Sequence, residues 1–180
     1  MNQFAGMSTD FRGRAILVPH DHPVLHAPCV EYDWNDDREK LERFVSALRT
    51  ALYLNKGIGI SAPQLGVPLR IMCLNFNNRE ILVNPVLLAT SDDSVLMDEG
   101  CLSYSGLFIK KKRPSTVRVR YQDELGETHT KVFSGITARV FLHEYDHLEG
   151  KTFVDNPSVT TKNKFEKWKK SPWKFNRHRS

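Results

Sequence analysis

The stretch HEYDHLEG, from His143 to Gly150, holds the residues whose types and spacing could carry out chemistry. On a helix, residues four apart lie on one face, so His143 and His147 can point two imidazoles at a single divalent cation. Glu144 follows the first histidine and can take a proton from water and pass it to a leaving amine. The pattern predicts a metal site, although a polar helix carrying these residues by chance would read the same.

Zinc proteases share this pattern and need a third ligand. Phe153 stands where the metzincin pattern requires a histidine, which excludes that class. A protease that takes an acidic ligand from a second helix stays open as an alternative, with Glu166 as its candidate ligand. Cys101, in EGCLSYSG, can supply a thiolate and leave the fourth position to water. The alternative reading of Cys101 is a buried core thiol.

The segment GIGISAPQLG, residues 57–66, lacks the glycine spacing of a dinucleotide site and the lysine of a phosphate loop. It reads either as a tight loop or as a strip along which a substrate backbone can lie. Gln64 would supply an amide donor there. In this order and at this spacing, the three segments resemble the peptide deformylases, and the likeness extends over residues 16–154.

The resemblance implies one metal ion per chain, held by Cys101, His143 and His147. It implies that Glu144 is the general acid and base, and that the Gln64 amide and the Leu102 backbone N–H stabilise the oxyanion. The residues implied in substrate binding are those that meet the peptide backbone or the methionine side chain: Ile58, Gly59, Gly100, Ile136 and Val140.

The implied reaction is hydrolysis of the N-formyl group from the initiator methionine of nascent polypeptides, with release of formate. The implied native metal is Fe(II), with Zn, Ni or Co as substitutes, because a Cys-His-His site accepts several metals. Three positions depart from the family's usual residues: Ser61 replaces alanine, Leu142 replaces glutamine, and Tyr104-Ser105 is an unusual pair. None of them removes a ligand or a donor.

The elements that must position these residues follow from periodicity. Residues 35–37 offer N-caps for a helix whose apolar residues recur at helical spacing to about Asn55. Short β-like runs follow, preceded by a short strand near residue 16 and ending in a hairpin that turns at residues 124–127. A second helix is predicted over 136–149, stopped by Gly150. This order predicts an α+β fold in which short antiparallel sheets pack around a central helix carrying the His-Glu-x-x-His motif.

Length and composition indicate one catalytic domain. The 180 residues carry a net charge of +5 and three cysteines, and no run approaches the roughly 18 apolar residues of a membrane helix. We predict a flexible arm at residues 1–14, the catalytic domain at 15–161 and a basic tail at 162–180. We expect a monomer without membrane contact in a reducing compartment: a cytoplasm, that of a phage-infected bacterium, or an organelle.

The tail carries eight basic residues and one acidic residue, a charge of +7, while residues 1–161 sum to −2. Its aromatic residues, Phe165, Trp168, Trp173 and Phe175, suit RNA stacking, and the ribosome or its RNA is the partner the resemblance suggests. The alternative interpretation is a solvated chain end without a partner. In either case, we expect that removal of the tail leaves hydrolysis of a small peptide largely intact.

Two further interpretations accompany this one. An RNA-binding module would have a structural metal site closed by four ligands. The histidines at positions 20, 22 and 26 could form a second metal cluster, but a solvated loop is the preferred interpretation.

Overall fold

The computed structural model describes residues 3–76, 79–155 and 157–171. Its regular elements run in the order α1 (Arg38–Leu54), β1 (Gly59–Ser61), β2 (Ile71–Leu74), β3 (Glu80–Thr90), β4 (Ser94–Gly100), β5 (Phe108–Pro114), β6 (Thr116–Gln122), β7 (Thr128–Ser134), α2 (Gly135–Leu148) and α3 (Val159–Lys169). Short 3-10 turns cover Pro23–His26, Ala62–Leu65 and Leu102–Tyr104. No helix in these described ranges is long and apolar enough to cross a membrane.

Helix α1 forms as its sequence predicts. The Asp37 side chain accepts a hydrogen bond from the Glu39 backbone N–H, which satisfies one of the free donors of the first turn. Asn55 caps the other end. The apolar residues at helical spacing are buried against β1, β2 and the neighbouring turn: Leu41, Phe44, Val45, Leu48, Ala51 and Leu52.

The strands form two separate antiparallel sheets. A five-stranded sheet has the order β1-β2-β3-β6-β7, and β4 and β5 form a two-stranded sheet. Among the described strands, β1 is therefore an edge strand, and β4 has one free edge. The predicted hairpin is β6–β7, turned by Asp123, whose carboxylate accepts the Leu125 and Glu127 backbone N–H groups.

Helix α2 lies between the two sheets and contacts both. Its buried face includes Ala138, Phe141 and Leu148, which pack with strands β2 and β6 in one apolar cluster. The chain turns directly after the helix at Gly150, whose φ of +67° is a conformation that glycine adopts without strain. The α+β prediction and the central position of the motif helix are confirmed.

The start of the chain differs from the prediction. Phe4 and Met7 pack on the body, with the Phe4 ring 5.1 Å from that of Phe44, and the Gln3 amide donates to Asp36, whereas Phe11 is exposed. The short strand expected near residue 16 is only an isolated bridge between Thr9 and Ala15. Phe4 thus adds to the core cluster around α1, and the flexible arm at residues 1–14 stays a prediction.

The end of the chain differs as well. Helix α3 spans three turns and crosses the expected boundary at residue 162. Phe165 and Trp168 pack against a cluster that contains Cys101 and Tyr104, so the tail is not a detached segment over these residues. Trp173 and Phe175 lie outside the described residues.

Candidate metal centre

Three potential ligands from two elements converge on one point. His143 and His147 lie one turn apart on α2, and Cys101 follows β4 at the start of the Leu102–Tyr104 turn. Their ligand atoms all lie within 4.8 Å of one another, and Cys101 Sγ is 3.3 Å from His147 Nε2. All three residues are buried. The structure thus brings together the three residues that the sequence singled out.

The electrostatics of this cluster suit a cation. Burial alone would lower the pKa of His143, but hydrogen bonding to Cys101 and Glu99 outweighs it and raises that pKa to about 10. Burial and the neighbouring His143 hold the pKa of His147 well below its ordinary value, so this imidazole is neutral and keeps a lone pair to donate. The pocket stabilises positive charge between a thiol and two imidazoles, which fits a divalent metal.

Glu144 lies beside this cluster and is almost fully buried. Burial is the main cause that raises its pKa to about 7, the range in which a carboxylate can both accept and donate a proton. Its Oε2 has no hydrogen-bond partner among the described residues. Gly59 of β1 lies against it, because a Cβ built on Gly59 would meet Glu144 Oε1 at 2.6 Å and Val140 Cγ1 at 2.5 Å.

The Gln64 amide points at the cluster in a fixed orientation. Its oxygen accepts the Ser61 backbone N–H at 2.9 Å and the Ser61 hydroxyl at 3.2 Å. This leaves its NH₂ group to donate toward Cys101 Sγ at 3.4 Å. Leu102 begins the 3-10 turn, where a backbone N–H has no acceptor within the turn itself. Both donors that the resemblance implied thus lie next to the cysteine.

A buried ion-pair network, which sequence reasoning missed, supports the cluster. Glu99 Oε2 accepts from His143 Nδ1 at 3.3 Å, and Arg113 binds the Glu99 carboxylate with two nitrogens at 2.8 and 2.9 Å. Arg139 Nη1 donates to Glu99 Oε1 at 2.7 Å and also binds the Lys111 carbonyl oxygen. Burial would raise the pKa of Glu99, but the hydrogen bonds from His143 and Arg113 keep it well below its usual range.

This network orients His143, since a carboxylate on Nδ1 leaves Nε2 for the metal. It also ties the β4–β5 sheet, which carries the cysteine, to the helix that carries the histidines. Its signal in the sequence was the placement of Arg139 one turn before His143 and of Glu99 two residues before Cys101. Neither spacing predicts that the Glu99 and Arg139 side chains are in contact.

The expected substrate-binding residues lie around the cluster. Gly59 belongs to β1, an edge strand of the larger sheet, and Gly100 belongs to β4 of the two-stranded sheet. Val140 is buried one turn before Glu144, and Ile136, one turn earlier on α2, is 47% exposed. Ile58 is exposed, and its carbonyl oxygen already accepts the Asn75 backbone N–H. Of these apolar side chains, Val140 lies against Gly59, next to Glu144.

The competing candidates lie elsewhere. Glu166 is on α3 and pairs with Lys169 at 2.5 Å, so it supplies no third ligand. His22 Nδ1 accepts the Val24 backbone N–H, and His26 contacts the His20 carbonyl oxygen, which are hydrogen bonds within the loop. Within the described ranges, the group around Cys101 has three members, as in a catalytic site, rather than the four of a structural one.

One cysteine sulfur, two imidazoles and a buried glutamate beside them are the groups of a metal-dependent hydrolase site. Comparison with known proteins agrees. Residues 15–163 match the sequence model of the family described as polypeptide deformylase. The chain belongs to this family, whose members are metal-dependent enzymes that deformylate nascent polypeptides.

Individual relatives give the same result. Peptide deformylase 1B, chloroplastic/mitochondrial, of Arabidopsis thaliana is 39% identical over 145 residues, which are 77% of this chain and 52% of that protein. This chain therefore spans about half the length of that relative. A Synechococcus elongatus peptide deformylase crystallised with actinonin superimposes with a TM-score of 0.82 at 28% identity, covering 93% of each chain. A Plasmodium falciparum peptide deformylase gives 0.78 at 36% identity, over 84% of this chain and 95% of that one.

Proposed function

We propose that this chain hydrolyses the formyl group from the N-terminal formyl-methionine of nascent polypeptides, using a metal held by Cys101, His143 and His147. The observation that carries the proposal is the convergence of these three ligand atoms within 4.8 Å of one another, with buried Glu144 beside them. The relatives named above act as peptide deformylases, which supports the same reaction here.

A bound divalent cation would polarise the formyl oxygen and make a neighbouring water more acidic. Glu144 takes the proton from the attacking water, and its raised pKa lets it return that proton to the departing amine. As the formyl carbon becomes tetrahedral, the Gln64 NH₂ group and the Leu102 N–H donate to the developing oxyanion. Removing one such donor typically costs about 10²–10³ in kcat.

The peptide itself would bind along the free edges of β1 and β4. A peptide in extended conformation can hydrogen-bond to β1 at Gly59 and to β4 at Gly100, as an added strand. The methionine side chain would then enter the apolar space beside Val140, bordered by Ile58 and Ile136. Gly59 has no side chain at the point where any Cβ would strike Glu144, so the substrate backbone can come close to the reacting groups.

We propose Fe(II) as the native metal, with nickel, cobalt or zinc able to replace it. A thiolate ligand next to ferrous iron is open to oxidation, and Cys101 itself can be oxidised by peroxide. The iron form prepared in air should lose activity, whereas nickel- or cobalt-loaded protein should keep it. Full activity of the iron form after prolonged exposure to air would contradict this assignment.

Formate release from a formyl-Met peptide is the direct test. Wild-type protein loaded with nickel should release formate, and Glu144→Gln should lose most turnover while binding metal nearly normally, because Glu144 moves protons and is not a ligand. Glu149→Gln is the matched control, since Glu149 ends the same helix and pairs with Arg70 away from the metal cluster. Wild-type turnover in Glu144→Gln would remove this residue from the mechanism.

We further propose that the chain works as a monomer and that α3 presents a basic surface to ribosomal RNA. The lysines at 162, 164, 167, 169 and 170 are exposed on or next to this helix. Phe165 and Trp168 are packed inward, so the described part of α3 offers charge rather than base stacking. A role at the ribosome would place the protein in a bacterial cytoplasm or an organelle that makes its own proteins.

Ribosome co-sedimentation at increasing salt tests this partner. Replacing Lys164 and Lys167 by alanine should weaken binding and flatten its salt dependence, because fewer counterions are released from phosphates. The control replaces Arg38 and Arg43 of α1, which removes the same charge elsewhere. Equal binding by the two variants would show that α3 has no special part in it.

A further inference from the structure

Helix α3 begins inside the region that matches the family model and continues past its end. The family match ends at residue 163, so Phe165 and Trp168 lie outside it. Both side chains nevertheless pack on the cluster of buried residues that contains Cys101. Nothing in the proposed reaction uses α3, and its contacts with the site therefore need a separate explanation.

Trp168 makes the most direct of these contacts. Its Nε1–H donates to the Ser105 carbonyl oxygen at 2.9 Å, and its ring lies 5.7 Å from that of Tyr104. Tyr104 ends the 3-10 turn that starts at Leu102, and Ser105 follows directly. Trp168 is thus fastened to the end of the same short turn whose beginning carries the proposed oxyanion donor.

A second line of ring contacts leads to a metal ligand. The Tyr104 ring meets Phe153 edge-on at 5.2 Å, and Phe153 meets His143 edge-on at 5.5 Å. Phe165 stacks on Trp168 at 5.7 Å and holds it from the helix side.

We propose that α3 positions the catalytic turn, and that Trp168 is a positioning residue for Cys101 and the Leu102 N–H. This inference rests on the proposed function. A turn of only three residues has few internal hydrogen bonds to fix it, so an outside clamp on Tyr104 and Ser105 limits the positions that the Leu102 N–H can take. The expectation that residues after 161 are separable from the chemistry would then hold only for the exposed lysines.

The test compares Trp168→Ala, Trp168→Phe and the control Lys164→Ala, which alters an exposed residue of the same helix. All are loaded with nickel and assayed below their melting transitions, with kcat expressed per bound metal. Trp168→Ala should lower kcat roughly tenfold or more, because both the ring contacts and the hydrogen bond are lost. KM should change less, since the Leu102 N–H acts mainly on the developing oxyanion.

Trp168→Phe keeps an aromatic ring but loses the hydrogen bond and part of the indole surface, so it should recover part of the activity, with a remaining loss of about two- to fivefold. Lys164→Ala should match wild type. If the alanine variant melts at a lower temperature but keeps wild-type kcat per bound metal, α3 is only a cover and the proposal is overturned. If that variant does not fold, an unchanged kcat in Trp168→Phe overturns it equally.

A readout without turnover separates this inference from the proposed reaction. In cobalt-loaded protein, the thiolate-to-metal absorption band reports the geometry of Cys101. Trp168→Ala should shift or weaken this band, while Lys164→Ala should leave it unchanged. If wild-type protein releases no formate, the proposed reaction fails, and the absorption band alone tests the positioning role of Trp168. An unchanged band in Trp168→Ala then overturns that role, and a changed band supports it.

Discussion

Replacing Arg139 by methionine should destabilise the metal-loaded protein strongly. Arg139 is 4% exposed, and its guanidinium binds the Glu99 carboxylate at 2.7 Å and the carbonyl oxygen of Lys111. Breaking a buried ion pair from one side typically costs about 3–5 kcal/mol. Here the Glu99 carboxylate and the Lys111 carbonyl oxygen each lose one partner, while Arg113 still binds Glu99. For a chain of this size, that corresponds to a melting temperature lower by roughly 6–20 °C.

The control is Arg43→Met, which breaks a solvent-exposed Arg–Glu ion pair. Arg43 Nη1 lies 3.4 Å from Glu39 Oε2, with side chains 68% and 80% exposed. Such a pair is worth less than about 1 kcal/mol, so this variant should melt close to wild type. Both variants must be compared at the same free metal concentration, because bound metal stabilises the folded state by itself.

A double variant separates charge burial from loss of packing. Adding Glu99→Gln to Arg139→Met removes the carboxylate left short of a partner, and Arg113 keeps Asp146 at 2.7 Å. The double variant should therefore lose less stability than the two single losses added together. If Arg139→Met melts within the range of the Arg43→Met control, the network does not hold the two-stranded sheet to α2, and the reasoning fails.

Three other changes test further details. Gly59→Ala should lower kcat well below wild type in a formate assay, because its Cβ would fall 2.6 Å from Glu144 Oε1 and displace that carboxylate. Gly150→Ala should lower the melting temperature, because φ is +67° and its Cβ would lie 2.6 Å from the Ala27 carbonyl carbon. The Asp37 backbone N–H is the main cause that lowers the pKa of Asp36 from 3.8 to about 2. Urea unfolding should therefore find Asp36→Asn less stable than wild type above about pH 4, and this difference should vanish as the pH falls through about 2.

The local parts of the fold could be predicted because their causes are local. Asp37 caps α1 and the apolar residues at helical spacing face the core, as periodicity indicated. The β6–β7 hairpin turns where Asp123 and Gly126 allow it. The metal residues could be predicted because ligand type and the four-residue spacing of His143 and His147 leave few other interpretations.

The contacts between distant segments could not be predicted in this way. The residues around position 4 have weak periodicity, and nothing in their sequence shows that Phe4 reaches Phe44. The many lysines of α3 predict a solvated or RNA-binding segment, and they do not reveal that Trp168 faces inward. The Glu99–Arg139 pair joins residues forty apart, and a single sequence shows their charges without showing that they meet.

The ligands come from two separate elements, and this has a consequence for the order of the empty protein. A cation bound by both Cys101 and His143 would act as a removable cross-link that closes a loop of about 40 residues. The bound ion would offset the conformational entropy lost in closing this loop, and removing the ion would remove that compensation. Chelation should therefore speed amide hydrogen exchange in β4 and β5 more than in the five-stranded sheet. The supply of metal would then control the resistance of the protein to proteolysis as well as its catalytic rate.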